Sequence, residues 1–65
     1  MIKINKLKAR FVEQGYTQQD IAKELGITDV TLSRKLAKGV FNSDEIYKMI
    51  AILKIEDPTE IFFAE

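Results

Sequence analysis

Hydrophobic residues recur along this chain at intervals of three and four positions, which is the spacing of one face of an α-helix. In the first such stretch, Ile4, Leu7 and Phe11 fall on the same side of a helix. No stretch alternates between apolar and polar residues for long, so beyond residues 1–4 the sequence offers no candidate for a β-strand. The pattern therefore predicts an all-α protein.

Capping residues and glycines divide this pattern into five short helices. Glycine adopts the left-handed conformation of a helix end at no steric cost, and Ser, Thr, Asn and Asp side chains cap helix starts. The predicted starts are Thr17, Thr28, Asn42 or Ser43, and Asp57, and the predicted ends are Gly15, Gly26 and Gly39. Asp20, three residues after Thr17, completes a capping-box pattern. Pro58 and Glu60 after Asp57 reinforce the last helix start. The short connections predict a compact five-helix bundle.

The segment from Thr17 to Leu36 contains two of these helices, which meet at a tight turn around Gly26. Ala22 lies four residues before this glycine, where a small side chain lets the second helix approach closely. The apolar residues that lock the two helices together are Ile21, Leu25, Ile27 and Leu32. This arrangement leaves the second helix projecting, with its first turns free to enter a groove.

Here the sequence resembles the helix-turn-helix family of phage Cro proteins and phage repressors, also called the xenobiotic-response-element family. The resemblance covers nearly the whole chain and rests on the runs GYTQQDIAKELGIT, TLSRKLAKG and AILKIEDPTEIF. It implies a lambda-repressor-like DNA-binding domain with its motif at about residues 17–38. It also implies a phage or prophage transcriptional regulator, a repressor that reads the major groove of a double-stranded operator with its third helix.

The resemblance also implies which side chains meet the DNA. Bases are contacted from the outward side of the third helix by Asp29, Val30, Thr31, Ser33 and Arg34. Phosphates are contacted by Thr17, Gln18, Thr28, Lys38 and Asn42. Arg34 is the strongest candidate for reading a base, because a guanidinium pairs bidentately with guanine O6 and N7.

Three positions on the third helix leave alternatives open. Phosphates repel the Asp29 carboxylate unless it accepts from a cytosine N4, and its interaction with the helix dipole can by itself account for an acid there. Val30 either packs on a thymine methyl group or completes the core. Lys35 departs from the family pattern, because many members have an apolar residue there. The register of the helix around Lys35 therefore stays open.

The composition argues against other kinds of function. The 65 residues include no cysteine and no histidine, which excludes disulfides, thiolate metal sites and the commonest zinc ligand and general base. Neighbouring carboxylates such as Asp44 and Glu45 are better explained as helix caps. We therefore expect one domain over residues 1–65 that is not an enzyme and uses no cofactor, metal or small-molecule substrate. With no membrane-spanning run and no signal-peptide pattern, we expect a cytoplasmic protein.

The net charge at first argues against a nucleic-acid partner, because ten basic residues balance ten acidic ones. The charges are unevenly distributed, however, with +4 over residues 1–40 and −4 over residues 41–65. Such asymmetry indicates that one face meets an anionic partner. The alternative function is a helix-turn-helix scaffold that binds another protein, as an anti-repressor or accessory subunit, with little affinity for DNA.

Weak DNA binding by a neutral monomer implies pairing, so we expect a weak homodimer on an inverted-repeat operator. The candidate dimer surface is formed by Ile61, Phe62 and Phe63, because a short terminal helix cannot bury three large apolar side chains inward at once. The alternative is that Ile61 and Phe62 close the core and that only Phe63 is exposed.

Overall fold

Five α-helices follow one another along the chain. The computed structural model describes residues 2–63, and none of these residues forms a strand, which confirms the all-α prediction. The helices are α1 (Ile4–Glu13), α2 (Gln18–Leu25), α3 (Asp29–Lys38), α4 (Ser43–Ile52) and α5 (Pro58–Phe62). None of the described helices is both long enough and apolar enough to cross a membrane.

The helix starts lie where the capping residues predict them. The Thr17 N–H donates to Asp20 Oδ2 at 2.9 Å and the Asp20 N–H donates to Thr17 Oγ1 at 3.1 Å, which completes the expected capping box. The hydrogen bond from the Thr17 backbone, and then that of its side chain, lowers the pKa of the Asp20 carboxyl. Of the two residues that the sequence left open at α4, Asn42 is the cap.

A tight turn at Gly26 joins α2 to α3. Gly26 has a φ of +72°, a left-handed conformation that residues with a Cβ rarely adopt. The Ile27 N–H donates back to the Ala22 carbonyl at 3.0 Å and so closes the end of α2. Thr28 then caps α3 by accepting from the Thr31 N–H at 3.1 Å. Hydrogen bonds on both sides of the turn therefore fix the orientation of α3 relative to α2.

The helices enclose one core of large apolar side chains. Its most deeply buried members are Leu7, Ile21, Leu32, Met49 and Leu53. Within the fold α2 packs against α3 and α4, and α1 packs against α5. At the C-terminal end Ile61 and Phe62 are buried in this core, whereas Phe63 is 57% exposed. Two of the three apolar residues of the last helix segment therefore serve the core of the monomer.

Arg10 ties α1 to the end of α4. Its Nε donates to the Leu53 carbonyl at 2.9 Å, and its Nη2 donates to the Lys54 carbonyl at 2.9 Å. Carbonyls at the end of a helix have no partner within the helix, so the guanidinium satisfies groups that would otherwise need water. The Lys3 N–H similarly donates to the Ile61 carbonyl at 2.7 Å and holds the start of the chain against α5.

Candidate nucleic-acid interface

The start of α2 lies against the outward side of α3. Gln18, the first residue of α2, donates from Nε2 to Asp29 Oδ1 at 3.0 Å and to Ser33 Oγ at 2.6 Å. Gln18 is 11 positions from Asp29 and 15 positions from Ser33 in the sequence, and the fold brings these three predicted DNA contacts together. The amide of Gln18 connects the first turn of α2 to the first two turns of α3.

The outward side of α3 presents a mixture of side chains to solvent. Asp29, Ser33 and Arg34 are exposed, and Val30 is 61% exposed. Val30 therefore does not complete the core. Thr31 is half-buried, and its Oγ1 accepts from the Thr28 hydroxyl at 2.9 Å. The exposed set offers a guanidinium, a hydroxyl, a carboxylate and a branched apolar group within two helical turns.

Arg34 and Lys38 supply the free positive charge of this surface. Both residues are exposed, and neither forms an ion pair with any other residue in the part of the chain that the structure describes. They lie four residues apart, so their side chains leave the same side of α3 one turn apart. An anionic ligand along this side of the helix would meet both.

Lys35 points away from this surface and toward α4. Its Nζ lies 2.9 Å from Glu45 Oε1, and both side chains are largely shielded from solvent. The neighbouring Leu36 is buried in the core. Lys35, which departs from the apolar pattern of the family, thus points inward, and the Glu45 carboxylate balances its charge. This resolves the register that the sequence left open: Arg34 faces out, while Lys35 and Leu36 face in.

The sequence did not predict the ion pair between Glu45 and Lys35, because Glu45 was expected to act only at the start of α4. Burial raises the pKa of the Glu45 carboxyl, but hydrogen bonds from Lys35 Nζ and the Asn42 N–H outweigh it, so the net pKa is below the usual value. The bond from the Asn42 N–H could have been predicted from the sequence, because a glutamate three residues after an Asn cap forms a capping-box pattern. No pattern in the sequence pointed to the bond with Lys35.

Asn42 has its amide orientation set by the helix cap. Its Oδ1 accepts from the Glu45 N–H at 2.9 Å, so the carbonyl end of the amide points into the first turn of α4. Asn42 is exposed, and its Nδ2 group donates to no other residue in the described part of the chain. The Nδ2 group carries two N–H donors, and a phosphate oxygen can accept a hydrogen bond from either.

Three acidic residues of the C-terminal segment, Glu56, Asp57 and Glu60, follow α4, whereas Asp44 and Glu45 lie in its first turn beside α3. Helix α4 has ten residues and spans about 15 Å, from Asn42 beside α3 to Leu53 beside Arg10. Beyond it, α1 and α5 flank an open groove of about 560 Å³. The carboxylates that line it are Glu13, Glu56, Asp57 and Glu60. Lys6 and Arg10 also line this groove, so acidic residues of the C-terminal segment lie beside basic residues of α1.

The chain belongs to the family described as protein of unknown function DUF739, whose model matches residues 2–65. No curated protein matches the chain significantly. No solved structure matches it significantly either.

Proposed function

We propose that this member of the DUF739 family is a sequence-specific DNA-binding transcriptional regulator of the phage Cro and repressor type, built on a helix-turn-helix. The observation that carries the proposal is the α2–α3 pair. A three-residue turn at Gly26 fixes the two helices, and the outward side of α3 is exposed and polar. A helix presented in this way fits the major groove of B-DNA, which admits one α-helix.

The exposed side chains of α3 would read base edges. Arg34 can pair with O6 and N7 of a guanine, and Val30 can contact a thymine methyl group. Ser33 and Thr31 can exchange hydrogen bonds with either kind of base. Asp29 is already bonded to Gln18 at 3.0 Å. Its carboxylate therefore serves the interaction with the helix dipole and the α2–α3 contact, and we propose that it reads no cytosine.

Phosphate contacts would flank this helix. At the start of α2 the Thr17 N–H already donates to Asp20, so the backbone N–H of Gln18, with the helix dipole behind it, is the stronger candidate donor to a phosphate. Thr28 is engaged as a cap, so its contact is the weaker candidate. Lys38 at the end of α3 and the Nδ2 group of Asn42 lie beyond the other end of the reading surface. Such contacts fix the register of the protein on the duplex.

Useful affinity would come from pairing of two copies. Two recognition helices of a symmetric dimer bind half-sites about 34 Å apart along the duplex. Among the three apolar residues proposed for the dimer surface, Phe63 is the exposed one. We propose that Phe63 forms the centre of a weak homodimer contact and that Ile61 and Phe62 support it from the core. Bound at a promoter, such a dimer represses transcription by blocking the polymerase.

The proposal is tested by selecting bound fragments from a random double-stranded DNA library at low salt. We expect enrichment of an inverted repeat, together with a steep loss of affinity as salt rises. The alternative, a module that binds another protein with little affinity for DNA, predicts no enriched sequence and no retention on a heparin column at low salt. That result would overturn the proposed function.

A further inference from the structure

Glu45 is the buried charged residue of the described part of the chain, with 6% of its surface exposed. A single oxygen, Oε1, accepts from Lys35 Nζ at 2.9 Å and from the Asn42 N–H at 2.9 Å. A capping box needs only the bonds between the cap residue and Glu45. The bond to Lys35 is additional, and it joins α3 to the first turn of α4.

Stability alone is a weak explanation for this ion pair. Removing a carboxylate from water costs several kcal/mol, and a well-packed apolar contact in the same place is often equally stable. The ion pair differs from an apolar contact in being directional, because its hydrogen bonds form only over a narrow range of distances and angles. What it adds is a defined placement of α3 relative to α4.

The two groups that Glu45 joins adjoin the candidate contacts to DNA. Lys35 directly follows Arg34 on α3, and Asn42 is itself a candidate phosphate contact. The capping bond from the Glu45 N–H to Asn42 Oδ1 also fixes the direction in which the Asn42 amide donates. The placement of a base-reading group and of a phosphate-binding group therefore depends on the same carboxylate.

We propose that Glu45 is a positioning residue for operator recognition: through Lys35 and Asn42 it sets the distance between Arg34 at a base and Asn42 at the DNA backbone. This inference rests on the proposed function. Specific binding needs both contacts at once, so a displacement of about 1 Å weakens it strongly. Non-specific binding depends on charge and tolerates such a displacement.

The test compares the affinities of each variant for the selected operator and for a scrambled duplex of the same composition. Glu45→Gln removes the charge but keeps an acceptor, and Lys35→Met removes the ammonium but keeps the apolar stem. For each we expect a fall of about tenfold in the ratio of specific to non-specific affinity. The double variant should lose no more than either single variant, because both changes remove the same ion pair. Lys35→Arg should retain the ratio.

Matched control variants distinguish a positioning role of the Glu45–Lys35 ion pair from an effect of the change in net charge. Asp44→Asn removes one exposed negative charge next to Glu45, and it should leave the ratio unchanged. Lys38→Met should lower the slope of log affinity against log salt by about 1, as expected for a lysine at a phosphate. Lys35→Met should leave that slope unchanged. Circular dichroism confirms that every variant is folded during the titrations, and Lys35→Met carries the test if Glu45→Gln fails to fold.

Three outcomes contradict the inference. A specificity ratio within twofold of wild type for Lys35→Met shows that the ion pair does not position the contacts. A reduced salt slope for the same variant shows that Lys35 binds phosphate itself. Either result leaves the proposed function intact provided that the wild type prefers its operator. A wild type without affinity for DNA overturns the proposed function, and this inference with it.

Discussion

Gln18 and Asp29 are hydrogen-bonded across the α2–α3 pair, with Nε2 of the amide 3.0 Å from Oδ1 of the carboxylate. The bond gives the first residue of α3 a partner on the helix that precedes it. The same Gln18 nitrogen also reaches Ser33 Oγ at 2.6 Å. The Asp29 carboxylate lies on the surface proposed to face phosphates, but it accepts a hydrogen bond from within the protein.

Asp29→Asn should strengthen binding to DNA of any sequence. The variant keeps an oxygen for Gln18 but removes a negative charge that phosphates repel. Its free energy of unfolding should fall by about 0.3–1 kcal/mol, because the carboxylate interacts favourably with the α3 dipole. Anisotropy titrations with operator and scrambled duplexes, together with urea unfolding, check both effects. A loss confined to operators with cytosine at one position would instead identify Asp29 as a base-reading residue.

Arg34→Ala should relax specificity at one base pair and cost about 1–3 kcal/mol of binding free energy, as expected for a bidentate contact with guanine. Arg34 is exposed, so the free energy of unfolding should change by no more than about 0.5 kcal/mol. The measurement is a set of affinities for single-base operator variants. A uniform loss across all of them would mean that Arg34 holds a phosphate.

Phe63→Ser should weaken self-association and leave the monomer intact, because the ring is 57% exposed. Phe62→Ser is the contrasting variant: Phe62 is 3% exposed, and losing a buried ring costs about 3–5 kcal/mol, enough to unfold a small domain. Val12→Ser, at an exposed valine on α1, is the control for loss of surface hydrophobicity. Sedimentation velocity checks this prediction. Wild-type protein that remains monomeric at millimolar concentration would contradict it.

Arg10→Met should destabilise the fold by about 1–3 kcal/mol, because the Leu53 and Lys54 carbonyls lose their donors. Lys8→Met is the matched control, since it removes an exposed charge from the same helix and should change stability by no more than about 0.5 kcal/mol. Urea unfolding measures both variants. Equal effects would mean that Arg10 acts only through its charge.

The ion pair of Glu45 should make stability depend on pH. The pKa of the Glu45 carboxyl is lowered in the folded protein, so its contribution is fully present above the unfolded pKa of about 4.3 and is lost as the pH falls through the folded value. The difference in unfolding free energy between wild type and Glu45→Gln should therefore shrink from pH 7 to pH 3. Urea unfolding at a series of pH values measures it. A difference that grows in acid would contradict the lowered pKa.

Much of the fold could be predicted because its signals are local. A capping box involves residues three positions apart, as at Thr17 and Asp20, and a glycine such as Gly26 marks a left-handed helix end by its own lack of a side chain. The 3–4 spacing likewise depends only on neighbours along one helix. The sequence by itself therefore determined that five helices form, where α2 to α5 begin, where α2 and α3 end, and which of their faces are apolar.

The tertiary structure alone decided which polar groups meet across helices. Arg10 lies 43 positions from Leu53 in the sequence, and Lys35 lies ten positions from Glu45. Gln18 lies 15 positions from Ser33. Each of these bonds depends on the packing of one helix against another, which no spacing within a helix encodes. The sequence supplied the charged residues, and the packing decided that Arg10 and Lys35 bond across helices while Arg34 stays exposed and forms no ion pair among the described residues.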